Sequence, residues 1–157
     1  MEPEIYLDFS FNKRYEFILR DIKFDNLPEE LIFEKFKDGR FFSHIIEKWL
    51  EKKFMNLIYV NGKGYDFIDA RDNNIKYDEK TFTCRGCNYV PSKMLGAGRK
   101  KNLSEFQEHA QKINYIIVDN TEFPKIQLVF ISGNDLLLNY PNGKIPIRDR
   151  VDFFSRY

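Results

Sequence analysis

Apolar residues recur at helical spacing most clearly between residues 40 and 54. Their positions place them on one face of a helix, and they are Phe42, Ile45, Ile46, Trp49 and Leu50. A second helix is expected to start at Leu27-Pro28-Glu29-Glu30, because proline suits the first helical turn and acidic residues favour the positive end of the helix dipole. A third is expected from Asn102 to Gln111. The segment 40–54 is the clearest of these predictions.

Short runs of aromatic and β-branched residues predict the strands. Residues 65–69 and 75–83 are separated by turn-forming residues at 71–74, so we expect a β-hairpin there. Further strands are predicted at residues 57–60, 115–119 and 126–131. The order helix, hairpin, helix, strand, strand predicts an α/β domain with a mixed central β-sheet flanked by helices. The apolar run 115–119 is expected to be a central strand.

The end of the chain gives a weaker pattern. Gly133-Asn134-Asp135 is expected to turn the chain after the last predicted strand. Residues 136–157 fit no single element, because Pro141 and Pro146 disfavour one long helix. A length of 157 residues suits one domain, and we expect a single domain over residues 1–157.

Composition excludes few classes of function. The formal net charge is +1, which argues against coating nucleic acid by overall charge but does not exclude a local basic cleft. Cys84 and Cys87 are the two cysteines, and without nearby histidines they are expected to be free thiols rather than zinc ligands. The first eleven residues lack the order of a signal peptide, and no apolar run is long enough to span a membrane. A cytoplasmic protein is expected.

The predicted hairpin carries the chemistry. Side chains at positions i and i+2 of a strand share a face, so Asp78 and Lys80 point the same way and Glu79 points to the other face. If the strands pair, Asp66 can lie beside Asp78. Two carboxylates suit Mg²⁺, which takes one or two carboxylates and keeps water and phosphate oxygens as its other ligands. A neighbouring lysine can position or activate water and offset phosphate charge.

Two alternatives stand beside this interpretation. Asp69 is also acidic, but it faces the opposite side of a regular strand from Asp66, so only one of them can share the face of Asp78 and Lys80. Asp66 is preferred unless a bulge changes the alternation. The hairpin could also be a charged edge without function. The apolar residues around the acids argue against that, since buried carboxylates are costly without a cation.

The same residues match a known pattern. Gly64-x-Asp66 followed by Asp78-x-Lys80 resembles the PD-(D/E)xK pattern of restriction-endonuclease-like nucleases. Tyr65 stands where that pattern has proline, although proline is often absent there. The resemblance extends from the predicted helix 40–54 through both hairpin strands to the strand that contains Val118. It implies a restriction-endonuclease-like fold and Mg²⁺-dependent hydrolysis of DNA phosphodiester bonds.

The resemblance also implies further site residues. A helix before the hairpin often supplies one more carboxylate in such nucleases, and Glu47 is the candidate here, with Glu34 as a weaker one. The helix after the hairpin often carries a polar residue near the active site. Gln107 and Gln111 share one helix face and are weak candidates for it.

A basic loop follows the hairpin. No acidic residue occurs between residues 81 and 101, and this sign of charge suits a phosphate backbone. The expected DNA-binding residues are Arg85, Ser92, Lys93, Arg99, Lys100 and Lys101. A flexible basic surface loop is the simpler alternative.

Together these observations lead to one expectation and two rivals. The expectation is a type II restriction endonuclease that cuts double-stranded DNA, acting as a homodimer because a two-fold protein matches a two-fold duplex. One rival is a repair or junction-resolving nuclease on the same fold. The other is a DNA-binding module without catalysis.

Overall fold

The computed structural model describes residues 5–62, 64–96 and 98–157. The strands are β1 (Arg14–Ile18), β2 (Leu57–Gly62), β3 (Tyr65–Asp69), β4 (Asp72–Thr81), β5 (Cys87–Asn88), β6 (Asn114–Asp119), β7 (Lys125–Ser132) and β8 (Lys144–Ile145). The α-helices are α1 (Glu29–Phe36), α2 (Gly39–Lys53), α3 (Leu103–Gln111), α4 (Gly133–Asn139) and α5 (Arg150–Ser155). Short 3-10 helices lie at Ser92–Met94 and Ile147–Asp149.

Six of these strands form one mixed sheet. Their order is β1-β7-β6-β4-β3-β2, with β4 and β6 parallel and the other neighbours antiparallel. Strands β5 and β8 form a separate two-stranded ribbon. The predicted α/β class with a mixed central sheet is therefore confirmed. The predicted strand 115–119 lies inside the sheet as β6, and the predicted hairpin is β3–β4.

Helix α2 covers one face of the sheet, as its apolar pattern predicts. Phe42, Ile46 and Leu50 are buried along one side of the helix. They belong to a cluster that includes Phe67 of β3 and Tyr77 of β4. The helix is N-capped by the side chain of Asp38, which accepts a hydrogen bond from the backbone N–H of Arg40. This packing fixes α2 against the hairpin.

The opposite face of the sheet is covered by the later helices. The buried residues of α3, α4 and α5 pack in a cluster with the sheet, and they are Phe106, Ala110, Leu136, Phe153 and Phe154. Strand β6 contributes to both clusters, because its alternating side chains Tyr115 and Ile117 face one side and Ile116 and Val118 the other. In the described ranges, no helix combines the length and apolar character needed to cross a bilayer.

Several elements differ from the sequence predictions, among them β5, β8 and α5, which fall in segments for which no element was predicted. Strand β1 was not predicted, because Arg14–Ile18 lies in a stretch rich in charged residues and pairs at the sheet edge with β7. Gly133-Asn134-Asp135, predicted as a turn, is the start of α4. The side chain of Ser132 caps this helix by accepting a hydrogen bond from the backbone N–H of Asp135, at 3.1 Å.

Gly133 is required by the close contact between α4 and the end of α3. A Cβ atom at this position would lie 1.7 Å from the carbonyl oxygen of Ala110. We expect Gly133→Ala to lower the free energy of unfolding by about 3 kcal/mol, because two backbone segments would have to move apart. Urea unfolding measures the change. Asn134→Ala, at the next and exposed position, should change it by less than about 0.5 kcal/mol. Similar losses in both variants would contradict the argument.

Candidate active site

The register of the β3–β4 hairpin places Asp66 opposite Asp78. Phe67 pairs with Tyr77 and Ile68 with Lys76, so the next pair toward the open end joins Asp66 and Asp78. The backbone N–H of Glu79 donates to Asp66 Oδ2 at 2.9 Å. Directly opposite residues share a face, so both carboxylates point away from the buried Phe67–Tyr77 pair.

The two carboxylates repel each other in a poorly hydrated place. Asp78 is 7% exposed. Burial raises the pKa of the Asp78 carboxyl, and contact with the Asp66 carboxyl raises it further, while Lys80 lowers it. Burial and a like charge both disfavour the ionised form. The pair therefore has an electrostatic cost that a bound cation would relieve.

Lys80 lies beside this pair. Its Nζ is 3.1 Å from Asp78 Oδ2, and the two side chains are 20% and 10% exposed. Burial lowers the pKa of the Lys80 ammonium, but the charges of Asp78, Asp66 and Glu79 together raise it above its ordinary value. Lys80 is therefore held in its charged form, with Asp78 as its direct partner.

Glu79 contributes a buried carboxyl to the same region. Strand alternation places it on the face opposite Asp78 and Lys80, as predicted, and this is the face that α2 covers. Its carboxyl nevertheless lines the cleft that contains Asp66 and Asp78. The hydroxyl of Thr81 donates to it. Burial raises the pKa of Glu79 to about 8, with further contributions from Asp66 and Glu47. Glu79 is therefore protonated over much of the neutral range.

Helix α2 brings Glu47 to the cleft. The helix begins directly against β4, since a Cβ atom on Gly39 would lie 3.1 Å from the carbonyl oxygen of Phe82. The side chain of Glu47 is 13% exposed and lies 3.8 Å from His44 Nδ1. Burial and the charge of Asp66 raise the pKa of Glu47. Glu47 is therefore close enough to Asp66 for the two carboxyl groups to interact electrostatically.

These residues line a cleft of about 970 Å³ between α2 and the 3-10 helix at Ser92–Met94. Its floor is acidic and carries Glu47, Asp66, Asp78 and Glu79. Its walls also carry cationic, hydroxyl and imidazole groups, which are Arg40, Ser43 and His44 on one side and Ser92, Lys93 and His109 on the other. The cleft thus combines an acidic floor with basic rims.

The competing acids are placed elsewhere. Asp69 is fully buried and accepts hydrogen bonds from Arg71 Nε at 2.9 Å and from the hydroxyl of Tyr77 at 2.9 Å. Arg71 holds the pKa of Asp69 at about 2 despite burial. Glu34 is exposed on α1 and pairs with Lys37 at 2.7 Å. Neither acid lines the cleft. The hairpin register shifts between Ile68 and Asp69, but Asp69 still contacts Tyr77 on the face opposite Asp66, as the alternation argument predicts.

The residues of the basic loop are dispersed. Ser92 and Lys93 line the cleft, whereas the other four expected DNA-binding residues, Arg85, Arg99, Lys100 and Lys101, are exposed outside its lining. Arg99 donates to the carbonyl oxygen of Ser92 at 2.9 Å. Lys101 donates to the carbonyl oxygen of Asn142. Two residues of these segments lie outside the described residues. They are Ala97, between Gly96 and Gly98 of the basic loop, and Lys63, in the turn before β3.

Helix α3 presents His109 to the cleft, not the two glutamines. Gln107 donates from Nε2 to the carbonyl oxygen of Pro141 at 3.0 Å and, with Gln111, lines a separate depression beside α4. His109 lies two positions from each glutamine and therefore on the opposite side of the helix. His109 was not among the residues expected at the site. Helical periodicity would have identified His109 once it was known which side of α3 faces the cleft.

The donor set fits a cation that needs few protein ligands. Asp66 and Asp78 supply two contacting carboxylates, and among the described residues no group of three acidic, histidine or cysteine side chains is arranged to hold a metal. Mg²⁺ commonly uses one or two carboxylates and completes its shell with water and phosphate oxygens. Cys84 and Cys87 form no disulfide, and the first is exposed whereas the second is buried.

Comparison of the chain with protein-family models, with curated proteins and with solved structures gives no significant match. The site is therefore interpreted from its own geometry and from the sequence pattern.

Asp66 and Asp69 should have opposite effects on stability. In metal-free protein near neutral pH, Asp69→Asn should lower the free energy of unfolding by about 2 kcal/mol, because it weakens a buried network with Arg71 and Tyr77. Asp66→Asn should raise it by about 1 kcal/mol, because the charge of Asp66 raises the pKa of three neighbouring carboxyls. Urea unfolding compares them. Equal destabilisation would identify Asp66 as a structural residue.

The raised pKa of Glu79 predicts a loss of stability with rising pH. The folded protein keeps this proton up to about pH 8, whereas the unfolded chain releases it near 4.5. The stabilisation is therefore complete below the unfolded pKa and is lost as pH rises through the folded pKa. Between about pH 5 and about pH 8 we expect the metal-free protein to lose on the order of 3 kcal/mol. Glu79→Gln should make this part of the profile less steep, and the slope that remains should come from the raised pKa values of Asp78 and Glu47. A profile that is unchanged in the variant would contradict the assignment.

Proposed function

We propose that this chain is a metal-dependent endonuclease that hydrolyses phosphodiester bonds of double-stranded DNA. The observation that carries the proposal is the opposition of the buried Asp78 and the half-buried Asp66 across the β3–β4 hairpin, with Lys80 Nζ 3.1 Å from Asp78. Two carboxylates and an ammonium group at one point of a cleft are the groups that phosphodiester hydrolysis needs. In a charged hairpin without function, the two carboxylates and the ammonium group would be expected to be exposed to solvent rather than held together in a cleft.

The order of elements supports a restriction-endonuclease-like architecture. The chain runs α2, β2, β3, β4, α3, β6, and β6 lies parallel to β4. This stretch is the one over which the PD-(D/E)xK resemblance extends. The aspartate and the lysine of Asp78-x-Lys80 lie on an internal strand, between β3 and β6, so the site is held by packing on both sides.

Asp66 and Asp78 are the residues that would hold Mg²⁺. The ion, when bound, supplies Lewis-acid stabilisation of the charge that develops on the phosphate. Glu47 interacts electrostatically with Asp66, and we assign it to the catalytic cleft as a further carboxylate and not as a third metal ligand. Glu79 differs from these acids, because burial raises its pKa and keeps it neutral, while the hydroxyl of Thr81 donates to it and holds it at the floor of the cleft.

Lys80 is assigned to positioning and charge compensation. Its pKa is raised by the surrounding carboxylates, so it acts as a hydrogen-bond donor in this state. An ammonium group can orient a water molecule and can offset negative charge on the non-bridging phosphate oxygens. Asp78 directs the ammonium group by accepting from it at 3.1 Å. Removal of Lys80 should therefore slow the chemical step.

The shape and charge of the cleft suit a nucleic-acid backbone. Cationic side chains stand on both rims, Arg40 on α2 and Lys93 on the facing 3-10 helix, above the acidic floor. Basic rims attract phosphates, whereas the acidic floor repels them unless a cation is bound. We assign the chain to the type II restriction setting, as a homodimer on symmetric sites, by analogy with small nucleases of the resembling family.

The proposal is tested by incubating the purified protein with phage DNA and Mg²⁺ and sequencing the fragment ends. We expect cutting that requires the metal. Asp66→Asn, Asp78→Asn and Lys80→Ala should each lower the cleavage rate by about 1,000-fold or more, because each removes charge placed at the reacting phosphate.

Matched controls exist in the same hairpin. Asp72→Asn and Lys76→Ala change an exposed aspartate at the start of β4 and a lysine shortly before Asp78 on the same strand, and neither residue lines the cleft. Both variants should cut at nearly the parent rate.

The cleavage pattern of the parent protein distinguishes the two kinds of nuclease. Discrete fragments indicate a sequence-specific enzyme, and cleavage confined to branched substrates indicates a junction-resolving nuclease. No metal-dependent cutting by the folded parent protein would overturn the proposal.

A further inference from the structure

The imidazole of His109 is a polar group of the cleft with no assigned role. His109 lies on α3 and faces the cleft opposite α2. Its Nε2 atom is buried, and no described protein group lies within hydrogen-bond distance of it. Buried polar side-chain atoms are paired in the large majority of cases, so an unpaired one at a cleft wall indicates a partner from outside the chain.

The ring is held in place by a glycine. Gly64, in the turn before β3, has a φ of +78°, and a Cβ atom there would lie 3.1 Å from Cε1 and 3.8 Å from Nε2 of His109. The missing side chain therefore provides the space that the ring occupies. This contact sets the imidazole against the turn that leads into Asp66. His109 is thus positioned on the wall of the cleft that contains the carboxylate pair.

The charges around His109 define the kind of partner. Burial lowers the pKa of His109, and the positive charges of Lys93, Lys80 and Lys112 lower it further, while Glu105 opposes them. The ring therefore sits in a positive field at the edge of the acidic floor. A positive field favours an anionic partner over a cation or a neutral carbonyl group.

Lys93 and Ser92 complete the same wall. Both residues belong to the 3-10 helix that faces the cleft with His109. Lys93 pairs with Glu105 at 3.3 Å, but the two side chains are 66% and 55% exposed, so this ion pair is weak and its ammonium group can turn to a ligand. An ammonium, a hydroxyl and an imidazole are typical partners of phosphate oxygens in nucleic-acid complexes.

We propose that His109, Lys93 and Ser92 bind a backbone phosphate adjacent to the one at Asp66 and Asp78. This inference rests on the proposed nuclease function and adds a second phosphate site to it. His109 is a positioning residue: its Nε2 holds the DNA strand in register with the carboxylates and takes no part in bond breaking.

Binding of a labelled DNA duplex, measured by fluorescence anisotropy with Ca²⁺ in place of Mg²⁺, tests the site apart from cleavage. Ca²⁺ is a hard cation that also takes carboxylate ligands. His109→Leu, which keeps a side chain of similar bulk without a polar atom, should weaken binding by about tenfold. His109→Gln, which retains a hydrogen-bonding group, should recover most of this loss. In single-turnover cleavage, the loss in His109→Leu should appear mainly as a higher DNA concentration needed for half of the maximal rate, and His109→Gln should recover most of it.

Lys93 gives a second measurement that does not depend on the fold of α3. Lys93→Ala should reduce the slope of log Kd against log salt by about 1, because one phosphate contact is lost. Lys125→Ala is the matched control, since Lys125 pairs with Glu16 outside the cleft and should leave the slope unchanged.

The outcomes separate this inference from the proposed function. If the parent protein binds and cuts DNA while His109→Leu binds as tightly as the parent, the phosphate site is wrong and the nuclease stands. An unchanged salt slope in Lys93→Ala would likewise exclude the phosphate site and leave the nuclease intact. If the folded parent protein neither binds nor cuts DNA, the nuclease proposal is wrong, and the phosphate site that rests on it is wrong as well.

Discussion

The desolvated contact between Asp66 and Asp78 is the constraint on which the site depends. Two carboxylates opposed across neighbouring strands repel each other, and the burial of Asp78 removes much of the water that would screen them. The fold holds them together because Phe67 and Tyr77, on the other face of the same hairpin, are fully packed under α2. Lys80 offsets part of the repulsion. The apolar core therefore keeps in place an arrangement that is electrostatically unfavourable without a cation.

The sequence predicted the parts of the structure that follow from local geometry. Strand alternation was sufficient to group Asp66 with Asp78 and Lys80 and to separate them from Asp69. Helical periodicity located α2 within one residue at each end. The mixed sheet followed from the order of elements. These inferences succeeded because each depends on residues that are close in the chain or paired by a short turn.

The remaining features depend on contacts between distant segments. Gly133 is a helix residue because α4 begins against the end of α3, and the local pattern around it is that of a turn. Glu79 was predicted on the correct face, but its place in the cleft depends on where α2 crosses the strand. His109 reaches the cleft through the packing of α3 beside Gly64. None of these contacts has a signature in the residues next to it.

The short connection between β3 and β4 limits how this chain can vary. Asp69 ends one strand and Asp72 begins the next, so Ala70 and Arg71 alone connect them. One inserted residue that is not absorbed by the register shift between Ile68 and Asp69 would move every later side chain of β4 to the opposite face. Tyr77 would then turn into the polar cleft, and the acid and the lysine beyond it would enter the aromatic core. Insertions and deletions should therefore be rejected in this loop, although surface loops usually accept them.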